Sequence, residues 1–226
     1  MVASGKRGDK TLSTANFAVR RRLPYTQVKV VQPHDDPKGL IDEFHRLRKR
    51  VFVEDMGWQI SYDDDLEVEQ YDCEHTVYLI AHDTRHGGVL GGARLLQTTH
   101  LSEDGNASYM IRDAYFGRLQ GIPATICSDE PPLDKNTWEL TRIISFGQTQ
   151  LGPKILRAAN EFLARKGAQA CLFLGSPAFM RMARSMGFQA RALGPIHRTD
   201  DGRFLAFSCN VFTPAQSEVV LGEALA

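Results

Sequence analysis

The chain has 226 residues, 42% of them hydrophobic and 24% charged, which is enough for one well-cored soluble domain and cramped for two. Lysine plus arginine and aspartate plus glutamate balance at 27 each, which argues against a general nucleic-acid binder. No apolar run reaches the length of a membrane span, the opening MVASGKRGDK has no signal-peptide core, and Cys73, Cys127, Cys171 and Cys209 form no CxxC pair. The expectation is a cytoplasmic protein with neither a disulfide framework nor a metal site.

Residues 1–22 carry Lys6, Arg7, Lys10, Arg20, Arg21 and Arg22 against Asp9 alone, and read either as a flexible extension or as a basic arm for an acidic partner. Residues 23–226 are expected to form a single domain. Thr26–Gln32 alternates like a strand, and Pro37–Phe52 spaces Leu40, Ile41, Phe44, Leu47, Val51 and Phe52 like an amphipathic helix. Thr76–His82 and Val89–Gln97 flank His86-Gly87-Gly88 and predict a hairpin. A short helix is expected over Met110–Leu119, then a loop through Pro131-Pro132 and a strand over Thr137–Ser145. Leu151–Lys166 is amphipathic, with Pro153 in its first turn and Gly167 as its stop. A strand at Ala170–Leu174, a helix at Pro177–Met186 and strands at Phe188–Leu193 and Phe204–Phe212 complete the order.

One segment stands out chemically. Between Val51 and Thr84 there is no lysine or arginine but there are ten acidic residues, with Phe52 and Trp58 at the start. Such a segment is either a solvated acidic loop or one wall of a site for a small cation, since carboxylates and aromatic faces both attract positive charge.

The element order predicts an α/β fold: a three-layer α/β/α sandwich on a mixed sheet. It resembles the GNAT acyltransferases, in which an acyl-pantetheine donor lies where two neighbouring parallel strands splay apart; here these would be Thr137–Ser145 and Ala170–Leu174. The usual coenzyme A pyrophosphate loop is poorly matched. In Gly147–Lys154 only Gly152 fits, and Pro153 has no N–H to donate. More specific are Arg48 and Phe52 in Leu-Arg-Lys-Arg-Val-Phe, Gly57-Trp58, and Glu67-x-Glu69-x-Tyr71-Asp72. Arg94 in Gly-Gly-Ala-Arg-Leu, Met110–Phe116 and Trp138-Glu139-Leu-Thr-Arg142 follow in order. Together these resemble the acyl-homoserine-lactone (autoinducer) synthases of the GNAT superfamily. Two positions depart from that family's pattern: Glu69 stands where Asp is usual, and Tyr115 where Phe is.

The resemblance implies acylation of the S-adenosyl-L-methionine amine by an acyl thioester, then lactonisation with release of methylthioadenosine. No cofactor is implied, since S-adenosylmethionine is a substrate. The amine must shed a proton, and Glu139 is the first candidate base, Glu67 the second. Arg142 would act beside them. Glu67, Glu69 and Asp72, with Trp58, Phe52 and Tyr115, would form an electronegative pocket for S-adenosylmethionine, in which Arg48, Arg94 and Arg142 hold the carboxylates and one of them holds the substrate carboxylate; the alternative is a purely structural ion-pair network beside core aromatics. Thr141, Leu172, Phe173 and Leu174 would wall the acyl chain, and Phe173, where relatives making 3-oxo products often carry a hydroxyl, implies an unsubstituted chain. The favoured donor is acyl carrier protein, with acyl-coenzyme A second. Lys154, Arg157, Arg165, Lys166, Arg181 and Arg184 then read as a docking face for that acidic carrier, or as ordinary solvated helix charge.

Overall fold

The computed structural model describes residues 25–145, 150–199, 202–213, 215 and 216. The basic N-terminal extension, the boundary expected at residue 23 and the first three residues of the Gly147–Lys154 stretch lie outside these residues.

The hydrophobic periods become eight strands and four helices along the described chain. Strands β1 (Thr26–Val31), β2 (Val77–Asp83), β3 (Val89–Gln97) and β4 (Thr137–Ile144) are antiparallel neighbours. β5 (Ala170–Gly175) runs parallel to β4, and β8 (Gly202–Asn210) returns antiparallel beside β5. Short β6 (Arg191–Ala192) and β7 (His197–Thr199) both pair with β8. The sheet order is β1-β2-β3-β4-β5-β8-β6. The parallel β4–β5 pair needs a crossover, which α3 (Leu151–Arg165) provides. The mixed sheet and its helical layers are those of the GNAT-like sandwich.

Alternation sorts the side chains by face. Leu79, Leu95, Leu140, Phe173 and Phe207 pack against α3 and α4 (Pro177–Ser185) through Leu156, Phe162, Leu163 and Ala183. The opposite face holds two separate apolar clusters. One gathers Phe44, Leu47, Val51, Phe52, Tyr78, Ile80 and Ile144 beneath α1 (Leu40–Arg48). The other gathers Leu96, Tyr109, Ile111, Ile126, Leu172 and Ala206 around α2 (Met110–Tyr115). On β3, Gly92 meets Phe44 of the first cluster, Leu96 belongs to the second, and Arg94 lies between them on the same face. A Cβ at Gly92 would come within 2.9 Å of the Phe44 ring and 2.6 Å of Leu79 O, so only glycine admits the helix this close.

Four local features shape that gap. Asp36 caps α1 by accepting from Leu40 N and Ile41 N at 2.9 and 2.8 Å. The helix then continues as a π-helical segment, Lys49–Asp55, so that Phe44, Arg48 and Phe52 follow at four-residue steps. On β4, Arg142 adopts φ 53°, and Thr141 pairs with Arg94 while Ile144 pairs with Gly92: three steps on β4 against two on β3. This β-bulge shifts the pleat by one. Ile143 consequently packs in the α3 layer and Ile144 beneath α1, while Arg142 shares the face of Glu139 and Thr141. Finally, the β4–β5 ladder stops at Leu140–Phe173, beyond which β5 pairs only with β8. The strands part where the sequence predicts the splay.

Two sequence expectations need correction. The strand expected over Phe188–Leu193 reduces to Arg191–Ala192, because Phe188 and Ala190 turn into the α3–α4 core, with Phe188 stacked on Phe212 at 4.9 Å. β7 was not foreseen, and the helix from Met110 ends at Tyr115, shortly before Gly117 at φ 70°.

Candidate active site

Six charged side chains from four segments interlock in the gap between the two clusters. Arg48 is fully buried. Its Nε donates to Glu67 Oε2, and its two terminal nitrogens grip Asp72 bidentately at 2.7 and 2.8 Å. Arg142 donates to Glu67 Oε1 at 3.2 and 3.1 Å and to Glu69 Oε2 at 2.7 Å. Arg94 donates to Glu69 Oε1 at 2.6 Å and to Thr141 Oγ1 at 3.2 and 3.1 Å. Its Nη1 lies 3.1 Å from Asp72 Oδ2, at an ion-pair distance but too oblique to hydrogen-bond. Asp72 also accepts from Tyr78 Oη at 2.8 Å and from Glu69 N at 3.0 Å.

Three carboxylates therefore face three guanidinium groups, and the cluster is neutral. The acidic run expected to give an electronegative pocket is thus balanced by Arg48 from α1, Arg94 from β3 and Arg142 from β4. Burial alone would push the Asp72 carboxyl up, yet Arg94, His45 and Arg48 hold it far below the usual carboxylate range. Glu67 is likewise lowered: burial opposes ionisation, but Arg142 and Arg48 outweigh it. Glu69 alone reaches solvent, with 20% of its side chain exposed against 0% for Glu67 and 1% for Asp72. Asp63, Asp64 and Asp65 stay on the exposed loop before Glu67.

Aromatic rings border the cluster. Trp58 stacks on Phe52 at 4.9 Å, Arg142 lies over Phe52 at 5.6 Å, and the buried Trp58 Nε1–H has no partner among the described residues. Tyr115 is placed differently: its ring meets Phe116 edge-on at 5.2 Å and packs against the α2 cluster.

Glu139 shares the face but not the fate. It is 1% exposed, and its two oxygens accept from Met110 N and Ile111 N, at 3.0 and 2.7 Å, in the first turn of α2. Burial raises its carboxyl to about 7, against the pull of the Ile111 amide, Arg94 and the Met110 amide.

The predicted acyl wall divides across the sheet. Leu172, paired in register with Glu139, and Leu174 lie on the α2 face. Phe173 lies on the other, stacked on Phe207 at 5.0 Å. Consecutive strand residues cannot share a face, so the inference drawn from Phe173 loses its footing. The Thr141 hydroxyl is committed to Arg94. Among the predicted docking cations, Arg184 is tied to Ala190 O at 3.1 and 2.8 Å and Lys166 lies over Phe162 at 5.6 Å; Arg165 and Arg181 are exposed. Among the described residues no group of three or more His, Cys, Asp or Glu side chains could hold a metal ion, and no helix is long and apolar enough to cross a membrane. Sequence reasoning passed over His45 and Tyr78; a histidine between Phe44 and Leu47, on the buried side of an amphipathic helix, was the available signal.

Comparison with known proteins identifies the family. A family model described as "Autoinducer synthase" matches residues 35–147. An acyl-homoserine-lactone synthase from Acinetobacter nosocomialis is 30% identical over 184 residues, covering 76% of this chain and 91% of the relative. One from Pseudomonas aeruginosa is 28% identical over 188 residues, covering 81% and 85%. Among solved structures, TofI in a ternary complex with an inhibitor and MTA superposes with a TM-score of 0.69 at 30% identity, covering 87% of this chain and 96% of that one.

Proposed function

The chain belongs to the autoinducer synthase family, whose members are acyltransferases, and from that premise we propose that it makes an N-acyl-L-homoserine lactone from S-adenosyl-L-methionine and an acyl thioester. The observation that carries this reading is the interlocked set of Arg48, Glu67, Glu69, Asp72, Arg94 and Arg142, with the Phe52–Trp58 stack on its border and Glu139 beside it, where β4 and β5 separate. The MTA named in the TofI complex, read as methylthioadenosine, is the co-product this reaction requires.

In this reading the cluster is a rigid, neutral frame. It presents Glu69 to the cationic substrate, while the Phe52–Trp58 stack offers an aromatic face to the sulfonium. The ammonium proton passes to Glu139, whose carboxyl at about 7 is poised between its two states near neutral pH. Glu67, bound by two arginines, is the weaker base. The freed amine attacks the thioester carbonyl directly and expels the thiolate, with the oxyanion met by backbone N–H on the opened edge of β4. Lactone closure follows: the substrate carboxylate, held by Arg142 or Arg94, attacks the carbon next to sulfur, and the C–S bond breaks to release methylthioadenosine. The acyl chain runs along Leu172 and Leu174. Neither carries a hydroxyl, which favours an unsubstituted acyl chain; mainly 3-oxo product by mass spectrometry would count against it.

Acyl carrier protein is the favoured donor, because Arg181 on α4, the helix that follows β5 from the end where it leaves β4, gives an acidic carrier exposed positive charge. Incubation with S-adenosylmethionine and either acyl carrier protein or coenzyme A thioester tests both levels. Methylthioadenosine release supports the reaction, and the ratio of kcat/KM values identifies the donor. Thiol release without methylthioadenosine would mean transfer to another amine.

A further inference from the structure

His45 and Tyr78 lie outside the charged set, yet both reach Asp72. His45, on α1, is 6% exposed, and Tyr78, on β2, is 1% exposed. Tyr78 Oη donates to Asp72 Oδ1 at 2.8 Å, while His45 Nε2 lies 3.3 Å from Tyr78 Oη and 3.6 Å from Asp72 Oδ1. A phenol has one proton to give. Tyr78 spends it on the carboxylate, so its oxygen can only accept from His45, and the histidine must carry a proton on Nε2. The two rings meet edge-on at 5.4 Å. Arg94 stands opposite Tyr78 in the β2–β3 register and divides its terminal nitrogens between two carboxylates: Nη2 lies 2.6 Å from Glu69 and Nη1 lies 3.1 Å from Asp72.

We propose that His45 and Tyr78 are positioning residues for S-adenosylmethionine, hydrogen-bonded in series to Asp72 so that Arg94 is left to hold Glu69. Tyr78 and Arg48 saturate Asp72 Oδ1, and His45 fixes the Tyr78 hydroxyl that does so. Without His45 and Tyr78, Asp72 draws Arg94 toward itself, and Glu69, the carboxylate that reaches solvent, keeps only Arg142 of its two anchors. The effect falls on substrate affinity rather than on Glu139, which α2 holds independently. The inference rests on the reading of this cluster as the S-adenosylmethionine pocket.

Calorimetric titration of S-adenosylmethionine into the full chain, with KM and kcat for both substrates, tests the relay in Tyr78→Phe, His45→Phe and His45→Gln. Loss of a buried hydrogen bond to a charged group should weaken S-adenosylmethionine binding about tenfold in the two Phe variants. kcat should stay within about threefold and the donor KM should not move. His45→Gln, whose amide N–H reaches the place of Nε2, should recover most of the affinity. Equal losses in His45→Phe and His45→Gln, or a parallel fall in kcat and donor binding, would reduce both residues to packing and overturn the relay. Tyr78→Phe removes a single oxygen, so it decides the matter if His45→Phe does not fold: wild-type affinity there overturns the relay alone. A wild-type chain that binds no S-adenosylmethionine overturns the pocket reading and the relay together.

Discussion

Glu67, Glu69 and Asp72, on a loop over the sheet, and Glu139, on β4, are carboxylates gathered at one face of the sheet, with opposite electrostatic fates. The first group is locked by Arg48, Arg94 and Arg142, and Glu67 and Asp72 are held below the ordinary carboxylate range. Glu139 has no guanidinium in hydrogen-bonding contact and is gripped by two backbone amides, so burial dominates and its carboxyl rises to about 7. The difference is one of partner. A full countercharge makes a carboxylate a permanent fixture, whereas neutral dipoles hold it in place and leave it free to exchange a proton.

The largest test of this contrast is to remove a countercharge. Arg48→Ala leaves Glu67 and Asp72 buried with too few partners and should cost about 3–5 kcal/mol of stability in urea unfolding. A loss under about 1 kcal/mol would mean that water already solvates the cluster. Next comes the titratable member. Because the folded Glu139 carboxyl keeps its proton up to about 7 and the unfolded one releases it near 4.5, its contribution is full below about pH 4.5 and is lost as pH rises through 7. From pH 5 to pH 8 the stability of wild type relative to Glu139→Gln should therefore fall, by up to about 3 kcal/mol. Asp72 has the opposite sign: its contribution is present above its unfolded value of 3.8 and is lost only on acidification. A pH-independent gap between the two proteins would assign the neutral-range titration to another group. In turnover, Glu139→Gln should reduce methylthioadenosine release by at least about 10²-fold with the fold retained; near-normal rates would move the base to Glu67 or to water. The smallest effect belongs to the acids with no countercharge. Asp63→Asn, Asp64→Asn and Asp65→Asn should each change stability by less than about 0.5 kcal/mol and leave S-adenosylmethionine affinity close to wild type.

Much of the architecture was legible because hydrophobic period reports directly on burial. The β2–β3 hairpin, the β4–α3–β5 crossover and the capped helix α4 all follow from apolar spacing and from Gly and Pro at their ends. The candidate site was legible as residue types, with arginines holding carboxylates, but not as which arginine meets which carboxylate. An acidic run is visible in the sequence as such, whereas the arginines that neutralise it come from α1, β3 and β4 and meet only in the fold. Two further features left no local trace. A bulge with a non-glycine residue at positive φ is set by the neighbouring strands, so Arg142 reads from sequence as one more alternating position. The assignment of Phe173 to the acyl wall treated three consecutive residues as one surface, which the pleat forbids.

The bulge at Arg142 also makes the site sensitive to chain length as well as to residue type. Deleting Ile143 would keep all six charged side chains, Glu139 and both bordering aromatics in the sequence. It would also return β4 to a plain pleat, turning Arg142 toward the α3 layer and stranding Glu67 and Glu69 beside an empty position. A one-codon deletion in an otherwise unchanged gene should thus abolish the site as thoroughly as replacing the arginine itself.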